Sequence, residues 1–151
     1  RRVANGAVCA EVYVVIVPVR IQLKRRKGWR MPPGTIRVSR PGKYGNPATL
    51  DNLSICIVRN PVGKGKPQRF RGRKTTLADC VQWYADALEN TPECDLGYSL
   101  AEIRRELHGY NLACWCKLCE IHKDGLPAWA TCAECAPCHA DVLLRAANNS
   151  A

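Results

Sequence analysis

The chain lacks an apolar run long enough to cross a membrane. Its most apolar stretch, Val12–Val19, is eight residues long, whereas a membrane-spanning helix needs about 20, so we expect a buried strand there and no membrane partner. Aromatic residues are also scarce, at 7% of the chain with a single Phe. The hydrophobic content of 46% over 151 residues predicts one domain with a modest core.

Acidic residues are nearly absent from the first half of the chain. Between Arg20 and Lys74 there are 16 Lys or Arg residues and one acid, Asp51, whereas from Asp79 to the end there are 5 bases and 11 acids. A basic half favours phosphate-bearing partners such as nucleotides or nucleic acid. A charged surface that only keeps the protein soluble is the alternative. The segment lacks a recognised Gly-rich phosphate-binding spacing, so the prediction of a phosphate-bearing partner rests on charge alone.

Cysteine, in contrast, is abundant, with ten residues in the chain. Six of them lie between Leu112 and Leu144, where they are bunched two or three residues apart. Bunching in CxxC pairs is typical of metal ligands, whereas secreted chains of this cysteine content usually form disulfides. We therefore expect reduced thiols and a cytoplasmic location.

Two CxxC pairs in this region predict a structural zinc site. Each CxxC turn can present two sulfurs to one ion, and zinc prefers four tetrahedral ligands. The predicted cofactor is Zn²⁺, held by Cys116, Cys119, Cys132 and Cys135. His122 or Cys138 could replace one of these ligands, and free thiols in a flexible loop are a further alternative. A site with four protein ligands has no open position, so we expect it to stabilise the loop and not to be catalytic.

Hydrophobic periodicity along the chain alternates between strand and helix patterns. The expected strands are Val12–Val19, Thr35–Ser39, Leu53–Arg59 and Tyr110–Trp115. The expected helices are Thr76–Asn90, Ser99–Leu107 with a capping box at its start, and His139–Ala147. This order predicts an α/β fold, a small three-layer or Rossmann-like domain with a zinc-binding insertion. Residues 1–11 are expected to form a flexible N-terminus, and residues 12–151 one domain with a zinc loop at 116–135.

A second cluster is expected at the edge of the sheet. Cys114 lies near the end of a predicted strand, and Cys138 and His139 open the last predicted helix. Ligands often bind at the carboxyl ends of strands in α/β folds, and a helix N-terminus can lower the pKa of a thiol. Cys138 is therefore a candidate nucleophile or anion contact, with His139 as its base. Ordinary core and helix-start positions are the alternative for these residues.

The basic half supplies the candidate ligand contacts. Its Lys and Arg side chains would meet phosphates, and Trp29 could stack on a base. Gly and Asn in the segment 40–47 permit tight backbone turns that could hold an anion. The predicted nucleotide or nucleic-acid contacts are Arg25, Arg26, Lys27, Trp29, Arg30, Arg40, Lys43 and Asn46.

Four segments of the chain resemble the family of domains of unknown function numbered 4326, which occurs in bacteria and phages. They are VRIQLKRRKGWRMPPGTIRVSRPGKYGNP at 19–47, VQWYADAL at 81–88, LACWC at 112–116 and CHADVLLRAAN at 138–148. Many relatives join CWC to CHADVL by a short link, whereas residues 117–137 intervene here. The resemblance implies that the complete zinc site is an elaboration, and that the family's own cluster is Cys114, Cys116, Cys138 and His139. It implies no activity.

Three functions are compatible with these features. The leading hypothesis is a zinc-stabilised α/β domain that binds a nucleotide or nucleic acid through its basic half. The second is an enzyme acting on a nucleotide or modified base, with Cys138 and His139 supplying the chemistry. The third is a module whose zinc loop docks another protein. A shared ligand site requires residues 40–47 and 138–139 to face one pocket.

Overall fold

The structure of the chain is a computed structural model that describes residues 17–51, 74–89 and 96–149. These residues form strands and helices in the order β1 (Val19–Gln22), β2 (Thr35–Arg37), α1 (Leu77–Glu89), α2 (Leu100–Leu107), β3 (Asn111–Cys114), β4 (Leu126–Pro127) and α3 (His139–Asn148). The predicted α/β fold class is confirmed. None of these helices is long and apolar enough to cross a membrane.

The first strand differs most from its sequence-based prediction. Residues 12–16 of the predicted strand Val12–Val19 lie outside the described residues, and of the rest only Val19 belongs to β1, which continues to Gln22. The side chain of Arg20 in the middle of β1 is buried, and its charge is paired with Asp141. The predicted flexible N-terminus at residues 1–11 and the predicted strand at residues 53–59 lie outside the described residues.

The four strands form one sheet in the order β2–β3–β1–β4. The strands β2, β3 and β1 are parallel, with Leu112 of β3 lying between Ile36 and Arg20 of its neighbours. The short strand β4 is antiparallel to β1 at the edge of the sheet. Because the three parallel strands run in one direction, the segments that follow each of them meet at the same edge.

The three helices share one core with one face of the sheet. Helix α3 packs against β1 and β3 and also contacts α1 and α2. Its Leu143 and Leu144 are fully buried in a cluster with Leu112 of the sheet, Tyr84 of α1 and Ile103 of α2. Ala113 points to the opposite face, where it packs with Ile21 and Leu23 in a smaller cluster. Helix α3 is therefore the element that holds the described part of the domain together.

Helix capping explains where α2 and α3 begin. The hydroxyl of Ser99 accepts the N–H of Glu102, and the Ser99 N–H donates to the Glu102 carboxylate at 2.9 Å, which confirms the predicted capping box. Helix α3 has Cys138 as its N-cap, and the thiol sulfur accepts the N–H of Ala140 at 3.4 Å. The cap therefore fixes the position of a sulfur at the start of α3.

Candidate functional site

One cluster of possible metal ligands lies in the loop between β3 and α3. The donor atoms of Cys119, His122, Cys132 and Cys135 all lie within 4.8 Å of one another. Cys119 Sγ is 3.9 Å from Cys132 Sγ, 3.6 Å from Cys135 Sγ and 3.2 Å from His122 Nδ1. Ligands around a tetrahedral zinc ion with Zn–S bonds of about 2.3 Å would lie roughly 3.8 Å apart. These four side chains, called the loop cluster below, could therefore hold a metal ion.

The loop cluster differs in one member from the four cysteines favoured on the sequence. Cys116 lies in another cluster, and His122 stands beside Cys119 in its place. The local turn explains this, because the N–H of His122 donates to the carbonyl of Cys119 at 3.1 Å and brings the ring back towards the sulfur. His122 is one of the alternative ligands that the sequence left open, and the geometry favours it.

The surroundings of the loop cluster shift the pKa values of two thiols in opposite directions. The N–H of Cys119 donates to Cys135 Sγ at 3.4 Å, but desolvation raises the pKa of Cys135. Desolvation alone would raise the pKa of Cys119, but hydrogen bonds from the backbone and ring of His122 outweigh it and lower the pKa to about 6. A thiol that ionises this readily is suited to binding a metal, because the ligand form is the thiolate.

The loop of residues 115–137 between β3 and α3, called the metal loop below, is joined closely to the sheet. Its residues 126–127 form β4, and the N–H of Ala128 donates to the carbonyl of Pro18 at 3.1 Å. Gly125 precedes β4 with φ of 147°, and a Cβ atom there would lie 2.7 Å from Val19 Cγ2. Leu118 and Leu126 pack with the cysteines in a small buried cluster. A metal ion in the loop cluster would therefore also secure the edge of the sheet.

A second cluster, called the sheet-edge cluster below, contains Cys114, Cys116 and Cys138. Their sulfurs also lie within 4.8 Å of one another. Cys114 ends β3 and Cys138 caps α3, and both are buried, with exposed fractions of 6% and 1%. This arrangement follows from the packing of α3 on β3, which places a helix N-terminus beside the carboxyl end of a strand.

The pKa values of the three thiols in the sheet-edge cluster are shifted in different directions. Hydrogen bonds from Cys116 and then from Cys138 lower the pKa of Cys114 well below its usual range. The same bond to Cys114 raises the pKa of Cys116 to about 11. The pKa of Cys138 is raised far above its usual range, first by its bond to Cys114. Cys114 is therefore the thiol of this cluster whose ionisation its neighbours favour most.

A buried arginine lies behind the sheet-edge cluster. Arg20 Nη1 donates to Asp141 Oδ2 at 2.7 Å and to the carbonyl of Ala136 at 3.0 Å. Its Nε and Nη2 are buried and have no hydrogen-bond partner among the described residues. The positive charge of Arg20 favours the thiolate form of Cys116. Asp141, which is largely buried, has a pKa raised by desolvation.

His139 connects the sheet-edge cluster to the end of β2. Its Nε2 lies 2.8 Å from the carbonyl oxygen of Val38, and its Nδ1 lies 3.9 Å from Cys138 Sγ. Because a carbonyl only accepts hydrogen bonds, Nε2 donates to Val38 and Nδ1 faces the sulfur of Cys138. The ring also makes an edge-on contact with Tyr84, at 5.4 Å between centroids. The catalytic roles expected for Cys138 and His139 remain predictions.

A pocket of about 300 Å³ opens over the sheet-edge cluster. It lies where β2 and β3 end and α3 begins. Its lining includes Ser39, Arg40, Asn46, Ala48, Leu77, Cys80, Val81, Cys114, Trp115, Cys116, Pro137, Cys138 and His139. Residues from the segment 40–47 and residues 138–139 therefore face one pocket, which is the arrangement that a shared ligand site requires.

A close backbone approach holds Arg40 at the pocket. A Cβ atom on Gly45 would lie 2.8–2.9 Å from the side chain and backbone of Arg40, so glycine is needed there. The turn is closed by the N–H of Gly42, which donates to the carbonyl of Ser39 at 3.0 Å. The Arg40 side chain is exposed and makes no ion pair or hydrogen bond with the described residues. Its guanidinium is free to meet an anionic ligand.

The basic segment 24–30 follows β1 at the same edge of the sheet. Its five cationic side chains are exposed and form no ion pair with the described part of the chain. One of them, Arg25, stacks on Trp115 with its guanidinium carbon 4.8 Å from the ring centroid, and Arg37 lies 5.8 Å from the same ring. Trp115 also lines the pocket. Part of the basic segment therefore borders the pocket through this ring.

Three of the predicted ligand contacts have other partners. Lys43 Nζ lies 3.0 Å from Glu106 Oε2 and 3.5 Å from Glu102 Oε1, outside the pocket lining. Asn46 lines the pocket, but its amide donates to the carbonyl of Cys80 and accepts the N–H of Ala48. Trp29 packs against the smaller core cluster on the opposite face of the sheet. The remaining predicted contacts, Arg25, Arg26, Lys27, Arg30 and Arg40, are exposed.

The metal loop carries two unusually exposed apolar side chains. Ile121 is 84% exposed and Trp129 is 67% exposed, the highest values among the large hydrophobic residues of the described part of the chain. Both flank ligands of the loop cluster in the sequence. Their exposure is compatible with the alternative that the loop docks another protein.

Sequence reasoning missed Trp115 and Arg20 as parts of the site. Trp115 follows Cys114 directly, so its proximity to the cysteines was a usable signal. Arg20 gave no such signal, because a charged residue in an apolar segment is more often the end of a buried strand than its centre. Only the packing of α3 shows that Asp141 compensates its charge.

Comparisons with known proteins identify a family. A family model described as Domain of unknown function (DUF4326) matches residues 21–149, which include both cysteine clusters and the pocket. The match confirms the resemblance noted from the sequence. No curated protein matches the chain. No solved structure matches it either.

Proposed function

The chain belongs to the DUF4326 family, and from its two clusters and its pocket we propose that it is a zinc-stabilised α/β domain that binds a nucleotide. The observation that carries this proposal is that Arg40 and Trp115 both line the pocket over the sheet-edge cluster. A cationic side chain without a partner and an exposed aromatic ring are the two groups that a phosphate and a base require.

The charge around the pocket supports an anionic ligand. Arg40 has no anionic partner in the described residues, and the basic segment 24–30 borders the same edge of the sheet through the contact of Arg25 with Trp115. Arginine binds phosphate oxygens through two parallel N–H groups. Asp141, the acid of the neighbouring helix start, is paired with Arg20. The exposed bases at the pocket would therefore attract a phosphate.

The size of the pocket favours a nucleotide over a duplex. A volume of about 300 Å³ is at the small end of the range for ligand pockets, which begins at about 300 Å³. It accommodates one base or one small nucleotide. A nucleic acid would have to insert a single unpaired nucleotide into the pocket, while its backbone follows the basic segment 24–30.

Zinc is the metal that best fits the loop cluster. Three thiolates and one imidazole are ligands that zinc prefers in closed structural sites. The site lies at the edge of the sheet and away from Arg40 and Trp115, so its role is to secure the loop and β4. Binding of the ion would stabilise the folded chain, because the unfolded chain does not hold these ligands together.

Calorimetric titration of the purified protein tests nucleotide binding. The ligands are the nucleoside monophosphates with either sugar and inorganic phosphate as the smallest probe. We expect binding that weakens with salt, and we expect Arg40→Ala to reduce it about tenfold or more. Trp115→Ala should reduce nucleotide binding but not phosphate binding.

Lys43→Ala is the matched control for these variants. It removes a base of the same segment whose charge is already paired with Glu106, so nucleotide affinity should not change. The proposal fails if no nucleotide binds, or if Lys43→Ala weakens binding as much as Arg40→Ala. If only a single-stranded oligonucleotide binds, and Trp115→Ala leaves its affinity unchanged, the pocket is not the ligand site.

A second candidate function is protein docking through the metal loop. The exposure of Ile121 and Trp129 is the observation that favours it, since large apolar side chains are uncommon on free surfaces away from interfaces. The test is the double variant Ile121→Ser/Trp129→Ser. A partner recovered with the wild-type protein should bind again as a purified protein, and the variant should lose this binding while keeping its metal. Equal binding by both proteins would contradict the docking role.

A further inference from the structure

Three sulfur atoms of the sheet-edge cluster are arranged like ligands of one ion. They come from the end of β3, from the segment just after it and from the cap of α3, and they all lie within 4.8 Å of one another. Cys114 Sγ and Cys116 Sγ are 3.9 Å apart. A disulfide needs about 2.0 Å between its sulfurs, whereas tetrahedral zinc with Zn–S bonds of about 2.3 Å separates them by roughly 3.8 Å.

The surroundings of the sheet-edge cluster favour negative charge. The N–H of Ala140 donates to Cys138 Sγ at 3.4 Å. Arg20 is buried beside the cluster, and Asp141 engages only one of its guanidinium nitrogens. The N–H of Ala140 and the guanidinium of Arg20 therefore place positive charge density near the sulfurs, which suits thiolates bound to a metal ion.

We propose that Cys114, Cys116 and Cys138 bind a second divalent metal ion of the zinc type, with one coordination position open to the pocket. The two clusters would then differ in role. The loop cluster is closed by four protein ligands, whereas the sheet-edge cluster offers three among the described residues. Three protein ligands and one exchangeable position are the arrangement of zinc sites that bind a substrate or water directly.

The open position faces the pocket because all three cysteines line it. Cys114 and Cys138 are backed by the core, so the ion can be approached only from the side where Arg40 and Trp115 lie. His139 is adjacent, with its Nδ1 facing Cys138 Sγ at 3.9 Å. It is not within 4.8 Å of all three sulfurs, so it is a neighbour of the open position and not a fourth ligand.

The chemistry of the open position defines the class of ligand that would fill it. An oxygen or nitrogen donor of an anionic ligand would displace water from the ion while Arg40 holds the remaining charge. If the ligand is a nucleotide, this step rests on the proposed function. The presence of the ion does not, so the two ideas can fail separately.

Metal stoichiometry tests the second site. The protein is loaded with Co²⁺ under reducing conditions, and bound metal is counted together with the thiolate-to-cobalt absorption. We expect two ions per chain in the wild type and one in either Cys116→Ser or the double variant Cys119→Ser/Cys132→Ser, because each variant leaves one cluster with only two of its ligands. Cys80→Ser is the matched control, since this buried cysteine lines the pocket but belongs to neither cluster; it should keep two ions.

A second measurement tests the open position and uses azide as the probe. In Cys119→Ser/Cys132→Ser, loaded with one Co²⁺ at the sheet-edge cluster, azide should shift the visible cobalt bands. In Cys116→Ser, loaded at the closed loop cluster, azide should have no effect. One ion per wild-type chain, or a sheet-edge spectrum that azide leaves unchanged, would overturn the proposal. Thermal unfolding of each variant confirms that it is folded before its metal is counted.

The same variants separate this proposal from nucleotide binding. If the wild type binds two ions and azide but no nucleotide, the metal site is supported and the nucleotide function fails. If a nucleotide binds through Arg40 and the wild type holds one ion, the nucleotide function is supported and the second metal site fails.

Discussion

His139 Nε2 lies 2.8 Å from the carbonyl oxygen of Val38, and this bond ties the first residue of α3 to the segment that follows β2. Val38 is fully buried, and its N–H donates to the carbonyl of Ala113 in β3. The start of α3 is therefore fixed relative to two strands at once. This bond therefore holds Cys138 beside Cys114 in the lining of the pocket.

Replacing His139 with Ala should destabilise the protein by about 1–3 kcal/mol, because the buried carbonyl of Val38 would lose its partner. The free energy of unfolding in urea measures this loss. His108→Ala is the control, since His108 also lies 3.1 Å from a backbone carbonyl, that of Ala147, but is exposed. Equal losses in the two variants would show that the bond to Val38 has no special role.

Asp141→Ala should cost about 3–5 kcal/mol, because it leaves the charge of Arg20 buried and unpaired. The side chains of this pair are 1% and 16% exposed. Removing both charges in Arg20→Met/Asp141→Leu should cost less than Asp141→Ala alone. Arg105→Ala breaks an exposed pair with Glu106 and should change stability by less than about 1 kcal/mol. A double variant less stable than Asp141→Ala would contradict this reasoning.

Glu106 should contribute to stability at neutral pH and lose its contribution in acid. Hydrogen bonds from the hydroxyl of Tyr44 and then from Lys43 lower its pKa from the usual 4.5 to about 2. Because the folded-state pKa lies below the unfolded-state value, its contribution is present above about pH 4.5 and is lost as the pH falls towards about 2.

The stability of Glu106→Gln compared with the wild type measures this effect. The difference between the two proteins should shrink as the pH is lowered through that window. Glu89→Gln, at the end of α1, is the control and should show no such change. A constant difference between Glu106→Gln and the wild type from pH 7 to pH 2 would rule out the linkage.

His122→Ala should weaken zinc binding at the loop cluster, whereas Cys116→Ser should leave that cluster intact. The reason is geometric, since His122 Nδ1 lies 3.2 Å from Cys119 Sγ and 3.6 Å from Cys135 Sγ. A chelator titration of the zinc-loaded protein, followed by its melting temperature, measures the effect. Each kcal/mol lost should lower the melting temperature by about 2–4 °C. If Cys116→Ser releases the loop zinc and His122→Ala does not, the four-cysteine set predicted from the sequence is the correct one.

Sequence patterns predicted the helices better than the first strand. The apolar spacing of α1 and the capping box of Ser99 and Glu102 are local signals, so they located α1 and α2 to within about one residue. The first strand was expected to end at Val19, but β1 continues to Gln22, and its central Arg20 is compensated by a residue 121 positions away. Local periodicity carries no information about such a distant partner.

The spacing of the cysteines predicted groups that could hold a metal ion, and the order of elements predicted the α/β class. The sequence also marked Arg40 as a candidate because it lies in a basic turn, and Cys138 and His139 because they open a helix. Only the tertiary structure decided how the cysteines divide. Cys116 joins Cys114 and Cys138 because α3 packs against the end of β3, and His122 joins the loop cluster because its turn folds back on Cys119. The spacing of residues along the chain limits which of them can come into contact, but the packing of α3 determines which of them do.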